Sequence, residues 1–65
     1  MSSKTLQKIR QLRNDKNLTQ EFVAEQIGCS QSHYAKLENG KVKLNLVTIN
    51  KIASVLEVNA NELMD

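Results

Sequence analysis

The sequence predicts a compact all-α domain of five helices. Apolar residues recur at intervals of three and four in five successive segments, which is the spacing of a helix that buries one face. Ser, Thr or Asn precedes each segment and Asn or Gly follows several of them, and these are the residues that begin and end helices. Only residues 41–44 resemble a β-strand, and we expect a loop there because the segment is short and has no partner.

The length of the chain restricts it to one domain, residues 1–65. So short a chain has no room for a deep catalytic cleft beside its core, so we expect no enzymatic activity, no metal and no cofactor. Its one cysteine, Cys29, excludes an intramolecular disulfide and a zinc-binding set of thiols, which fits a reducing, cytoplasmic setting. The N-terminus has no apolar run long enough for a signal peptide or a membrane span.

The net charge of +2 is distributed unevenly along the chain. Residues 1–16 contain five basic residues against one acidic residue, and residues 36–51 contain four lysines against one glutamate. Residues 52–65 contain three acidic residues and no basic one. A polyanion is therefore a plausible partner for one side of the molecule, although lysines that only solvate a small protein would give the same counts.

The first predicted helix has Ser3 or Thr5 as its candidate N-cap and ends in the polar run 14–17. Its apolar residues are Leu6, Ile9 and Leu12. The second begins after Thr19, an N-cap residue, and ends at Gly28, which adopts a positive φ without a Cβ clash. Its apolar residues are Val23, Ala24 and Ile27.

The third helix begins after Ser30 and ends at Asn39-Gly40, a pair suited to a turn. The fourth begins after Asn45, and a short fifth helix begins after Asn59, which has the spacing of a capping box with Glu62. The core residues predicted for the fourth helix are Leu46, Ile49, Ile52, Ala53 and Leu56.

The connection between the second and third helices, residues 28–30, is too short for anything but a steep crossing, as in a helix-turn-helix. Tyr34 and Leu37, three residues apart, are expected to face the core. The opposite side of the third helix then faces solvent, with His33 at its edge. The outward residues are Gln31, Ser32, Ala35 and Lys36.

The stretch LTQEFVAEQIGCSQSHYAKLENGK resembles the phage-repressor type of helix-turn-helix domain, the Cro/cI or xenobiotic-response-element family. The similarity extends to the basic first helix, LQKIRQLRNDKN, and to the last two helices, LVTINKIASVLEVNANEL. The resemblance implies a lambda-repressor-like fold with the helix-turn-helix at residues 19–39.

In such domains the third helix enters the major groove of DNA. The resemblance therefore implies that Gln31, Ser32 and Lys36 contact bases. Residues at the start of the second helix, at the edge of the third and in the following loop would contact the DNA backbone. These residues are Thr19, Gln20, His33, Asn39, Lys41 and Lys43. Arg13 and Glu38 match a family pair that we interpret as a structural ion pair.

Three residues depart from the family pattern. Phe22 and Val47 stand where the family usually has charged residues, which leaves room for an extra apolar contact. Glu57 replaces a common helix-ending glycine, so we expect either a left-handed backbone there or a different turn.

Simpler alternatives exist for several of these residues. His33 could be a solvent-exposed residue near DNA rather than a phosphate contact, and a metal-binding or catalytic role is not expected of it. Cys29 is expected to be a small buried residue of the turn rather than a redox sensor. Tyr34 is expected to lie in the core rather than stack on a base.

The predicted function is that of a sequence-specific double-stranded DNA-binding transcription regulator, with repression favoured. The alternative is an antitoxin or co-regulator whose main partner is a protein. Surplus apolar residues near the C-terminus predict a homodimer on an inverted repeat, with its interface in residues 55–65, unless they only close the core. These residues are Val47, Val55, Val58, Leu63 and Met64. A bacterial, phage or mobile-element origin fits such a regulator.

Overall fold

The computed structural model describes residues 3–64, which form four α-helices and one 3₁₀ helix and contain no strand. The α-helices are α1 (Ser3–Asp15), α2 (Gln20–Ile27), α3 (Gln31–Glu38) and α4 (Leu46–Leu56), and the 3₁₀ helix is Ala60–Glu62. The all-α class is therefore confirmed, and residues 41–44 are a loop, as expected.

The five-helix count is not confirmed: four α-helices are present, and the segment after Asn59 forms one 3₁₀ turn rather than a fifth α-helix. Its backbone bonds join residues three apart, such as the Glu62 N–H to the Asn59 carbonyl at 2.9 Å. The predicted capping box is present, and the Asn59 N–H donates to Glu62 Oε2 at 2.8 Å. This single turn is enough to bury Leu63 fully, so no longer helix is needed to close the core.

Three of the predicted N-caps are confirmed by side-chain hydrogen bonds, whereas Ser3 and Thr5 lie inside α1, which begins earlier than predicted. Thr19 Oγ1 accepts a hydrogen bond from the Phe22 N–H at 3.0 Å. Ser30 Oγ accepts one from His33 at 3.1 Å, and Asn45 Oδ1 accepts one from Thr48 at 2.8 Å. Each cap satisfies a backbone N–H that has no partner within its helix.

The core lies where the four helices meet, and most of the apolar residues predicted for it are buried, while Leu6, Leu12 and Ile27 pack against it partly buried. The fully buried residues with the largest side chains include Tyr34, Ile9, Ile49, Ile52, Leu56 and Leu63. Leu46 is an error of prediction, since 58% of it is exposed. A helical side chain tilts toward the N-terminus of its helix, so the side chain of the first residue of α4 extends past the residues it could pack on. Leu44, in the preceding loop, is buried instead.

The apolar residues near the C-terminus mostly close the core. Leu63 is fully buried, and Val55, Val58 and Met64 pack, partly buried, against the core. Val47, by contrast, is 63% exposed. The described part of the segment, residues 55–64, therefore contains no large apolar side chain that is fully exposed, and the interface in residues 55–65 stays a prediction. No helix of the described chain is long and apolar enough to cross a membrane.

Candidate nucleic-acid interface

The turn between α2 and α3 is held by backbone geometry. Gly28 has a φ of 84°. Its N–H donates to the Glu25 carbonyl at 3.2 Å, and the Cys29 N–H donates to the Ala24 carbonyl at 2.9 Å. A Cβ on Gly28 would meet nothing within 4 Å, so glycine is needed here for its left-handed backbone and not for space. This turn redirects the chain within two residues, and α3 begins after Ser30.

The structure confirms which side of α3 faces solvent. Tyr34 and Leu37 are buried, and Ala35 is half-buried. The exposed residues of the helix are Gln31, Ser32, His33 and Lys36. The three residues expected to read bases therefore share one open face of a helix whose opposite face is fixed in the core.

The residues expected to contact the DNA backbone lie at the two ends of the helix-turn-helix. Thr19, at the start of α2, and three residues of the loop after α3 are exposed. Those three are Asn39, Lys41 and Lys43. Gln20 is half-buried, and its Nε2 donates to Glu38 Oε1 at 3.1 Å. This hydrogen bond brings the start of α2 against the end of α3, so the two groups of predicted backbone contacts are neighbours.

Arg13 and Glu38 form an ion pair across α1 and α3. Arg13 Nε donates to Glu38 Oε2 at 2.7 Å and Nη2 donates to Oε1 at 3.2 Å, so the pair is bidentate. The third nitrogen of the guanidinium, Nη1, donates to the Leu18 carbonyl at 2.8 Å. With 1% of the Glu38 side chain and 12% of the Arg13 side chain exposed, the pair is internal rather than free to meet DNA.

Burial by itself would raise the pKa of Glu38, but its hydrogen bonds outweigh that effect. Hydrogen bonds from Arg13 and Gln20, the nearby hydroxyl of Tyr34 and the positive charge of Arg13 hold the pKa of the carboxyl below its ordinary value of 4.5. Glu38 is consequently an anion at neutral pH.

Tyr34 lies fully buried beside this carboxylate. Its hydroxyl oxygen has no hydrogen-bond partner among the described residues, but it lies close enough to the Glu38 carboxylate to interact with it. Burial, then the hydrogen-bonding interaction with Glu38, raise the pKa of Tyr34 well above its ordinary value. The side chain is a neutral core residue, as expected, and cannot stack on a base.

Sequence reasoning missed Arg10, which it counted only as a charge. Its Nη1 donates to the main-chain carbonyl of Glu38 at 2.6 Å. Lys8 was missed in the same way, and its Nζ donates to the Met64 carbonyl at 3.2 Å. The available signal was position: Arg10 lies three residues before Arg13, on the same face of α1.

Cys29 is half-buried and forms no disulfide. It shares a hollow with His33, Thr48 and Lys51 at the junction of the turn, α3 and α4. The described residues contain no group of three or more His, Cys, Asp or Glu side chains that could hold a metal.

Three large apolar side chains are exposed outside the residues predicted to contact DNA. Leu46 and Val47 form the first turn of α4, and Phe22 on α2 is 43% exposed. Phe22 lines a shallow hollow with Gln26 of α2 and with α4. The α4 residues of that hollow are Lys51, Ser54 and Val55.

The helix-turn-helix family model matches residues 9–63, which is most of the chain. The protein therefore belongs to the helix-turn-helix family in its Cro/cI type, a class of DNA-binding transcription regulators rather than enzymes.

Particular members of the class are similar over most of this chain. The control protein C.MunI of Mycoplasma sp is 39% identical over 57 residues, covering 86% of this chain and 77% of the relative. The crystal structure of the restriction-modification controller protein C.AhdI from Aeromonas hydrophila superimposes with a TM-score of 0.85 at 36% identity, covering 94% of this chain and 88% of that one. The transcriptional activator BcrR of Enterococcus faecalis is 40% identical over 58 residues, which are 89% of this chain but 28% of the relative.

Proposed function

We propose that the protein regulates transcription by reading specific double-stranded DNA sites with α3 in the major groove. The observation that carries the proposal is the exposed face of α3, where Gln31, Ser32 and Lys36 stand free while Tyr34 and Leu37 fix the opposite face. Gln can bond adenine N6 and N7 together, Ser can serve several bases, and Lys favours guanine O6 and N7.

Affinity in this proposal comes mainly from phosphate contacts at both ends of the helix-turn-helix. Lys41 and Lys43 supply positive charge, and the exposed Thr19, His33 and Asn39 supply polar groups. Gln20 adds an amide next to the N–H groups that open α2, which favour an anion. One Gln20 N–H is used by Glu38, so the second N–H is the one available to a phosphate.

We propose that two copies bind an inverted repeat, with half-sites about 10 base pairs apart or a multiple of that distance. The interface would use the start of α4 rather than residues 55–65, because Leu46 and Val47 are exposed there. Since α4 follows α3 after a short loop, pairing through the start of α4 would place the two α3 helices near the symmetry axis.

The names of the similar proteins support a more specific biological role within transcription regulation. Two of them are called controller or control proteins, one explicitly of a restriction-modification system, and both match this chain over most of their own length. We propose that this protein has the same kind of role in a bacterial or phage-infected cytoplasm. Repression is the proposed outcome where the site overlaps a promoter, whereas an upstream site would give activation, the role stated for BcrR.

The first experiment is a selection of binding sites from a random double-stranded DNA library at about 150 mM salt, which screens non-specific phosphate attraction. We expect an inverted repeat. A single short site would contradict the dimer but not the reading of sequence. No enrichment would favour the alternative, an antitoxin or co-regulator whose exposed Phe22 meets a protein.

Two alanine variants then separate base reading from phosphate binding. Gln31→Ala should change the preferred sequence at one position and cost about 1–3 kcal/mol on the selected site. Lys41→Ala should weaken binding to every sequence alike and reduce the salt slope by roughly 1. Binding isotherms on selected and scrambled DNA at three salt concentrations measure both effects. An equal loss on all sequences for Gln31→Ala would exclude its role in reading bases.

A further inference from the structure

Two arginines of α1 bind Glu38, the last residue of α3, and each binds a different part of it. Arg13 binds the carboxylate of Glu38, and Arg10 binds its main-chain carbonyl at 2.6 Å. The ion pair acts on the helix only through the side chain of Glu38. The Arg10 contact fixes the backbone of the helix itself.

The carbonyl groups of the last turn of α3 show why this contact matters. Ala35, Lys36 and Leu37 accept hydrogen bonds from the backbone N–H groups of residues 39–42. For the Glu38 carbonyl, the partner found in the described residues is the Arg10 guanidinium. A half-buried cation therefore satisfies the last carbonyl of the helix and lies at its negative end.

We propose that Arg10 is a positioning residue for base reading, a role that rests on the proposed function of α3. The α2–α3 turn holds the N-terminal end of α3, and Arg10 ties its C-terminal end to α1. A helix of eight residues is roughly 12 Å long, so a tilt of about 10° moves its far end by roughly 2 Å. A shift of that size would misplace Lys36 and tilt Gln31 and Ser32 relative to the base edges.

The test compares Arg10→Met, Arg10→Gln and Arg10→Lys with Lys4→Met, which removes the same charge from an exposed position of α1. Affinity is measured for the selected DNA site and for scrambled DNA across a range of salt. For Arg10→Met we expect the ratio of specific to non-specific affinity to fall about tenfold, the worth of one hydrogen bond to a charged group, with the salt slope unchanged. Arg10→Gln should be intermediate, and Arg10→Lys, which keeps a charged donor, should restore most of the ratio.

A second readout needs no DNA. Amide hydrogen exchange at the C-terminal end of α3 should be faster in Arg10→Met than in wild type and unchanged in Lys4→Met. Should Arg10→Met not fold, Arg10→Gln carries both measurements.

Two results would overturn the inference. An equal loss on selected and scrambled DNA, with the salt slope lower by about 0.9, would mean that Arg10 binds a phosphate directly. An unchanged ratio with unchanged exchange would mean that the contact is dispensable. A wild-type protein that selects no site would refute the proposed function instead, and the exchange experiment would still report whether Arg10 holds α3.

Discussion

Glu38 has a carboxylate that is buried in a 65-residue protein. Three hydrogen bonds donated to this carboxylate stabilise its charge there. Arg13 supplies two of them and Gln20 the third. Removing one partner of such a buried ion pair lowers the free energy of unfolding, because the other charge then stays in a poorly solvated site. The residue therefore couples the stability of the fold to pH.

The pKa of Glu38 is lowered in the folded state, which gives the direction of that coupling. Its stabilising contribution is fully present above its ordinary value of 4.5 and is lost as the pH falls from there through the lower folded value. Glu38→Gln should reduce the free energy of unfolding at pH 7 by roughly 3 kcal/mol. The variant should also lose less stability than wild type between pH 5 and pH 3. Urea denaturation at a series of pH values measures both.

Glu25→Gln is the matched control, since Glu25 is exposed and lies outside this network. It should leave the stability at pH 7 within about 0.5 kcal/mol of wild type. If Glu38→Gln gave the same acid dependence as Glu25→Gln, the loss of stability in acid would belong to other carboxylates.

At the scale of single residues, the sequence was sufficient to predict which side chains of α3 face outward, but it was insufficient to predict the contact of Arg10. Tyr34 and Leu37 are three residues apart in one helix, so local spacing alone fixed the outward face of α3. Arg10 and Glu38 are separated by 28 residues, and their contact depends on how α1 lies against the end of α3. No local pattern contains that orientation, although the resemblance did supply the Arg13–Glu38 pair.

At the scale of the element, helix boundaries were easier to predict than side-chain burial and the type of the last helix. A capping side chain acts within three residues, so Thr19, Ser30 and Asn45 could be identified from the sequence. The exposure of Leu46 depends instead on what packs beneath the first turn of α4, which is a tertiary property. The length of the last helix was likewise decided by how little chain was needed to bury Leu63.

The end of α4 carries an avoidable strain. Glu57 has a φ of 60° and a ψ of 41°, the left-handed conformation expected if the family glycine is replaced without changing the turn. This conformation costs a residue with a Cβ roughly 1–2 kcal/mol. A glutamate there also places a negative charge at the negative end of a helix.

Glu57→Gly should therefore stabilise the protein. The relief of strain exceeds the entropy that glycine adds to the unfolded chain, so we expect a gain of about 0.5–1 kcal/mol and a Tm higher by several degrees. Thermal unfolding followed by circular dichroism measures it. Glu57→Gln removes only the charge and should gain less.

Asn17 is the natural control for the strain argument, because it has a φ of 58° but belongs to a residue type that tolerates this conformation. Asn17→Gly should give little or no gain. Equal effects at the two positions would show that the gain at residue 57 does not come from backbone strain.

At the scale of the whole molecule, the exposed apolar residues are concentrated away from the α3 face and the C-terminal segment. Leu46 and Val47 protrude from the start of α4, while Val55, Val58 and Met64 pack partly buried against the core. A single domain of this size offers only a few base contacts, so pairing two copies is the available way to raise specificity. The proposed dimer therefore predicts that a charge introduced at the start of α4, and not one in the 3₁₀ helix, weakens the association of the two copies.

Val47→Glu should shift the protein to a monomer by placing two like charges in the proposed interface. The substitution cannot be mistaken for unfolding, because an acid in the first turn of α4 is favourable to the helix and Val47 is outside the core. Asn61→Glu adds the same charge at an exposed position of the 3₁₀ helix and should leave the dimer intact.

Sedimentation velocity across a range of concentrations measures the association. DNA binding to one half-site should be unchanged in Val47→Glu, whereas binding to the full inverted repeat should lose its cooperativity. Dissociation by Asn61→Glu and not by Val47→Glu would move the interface to the C-terminal segment that the sequence first suggested.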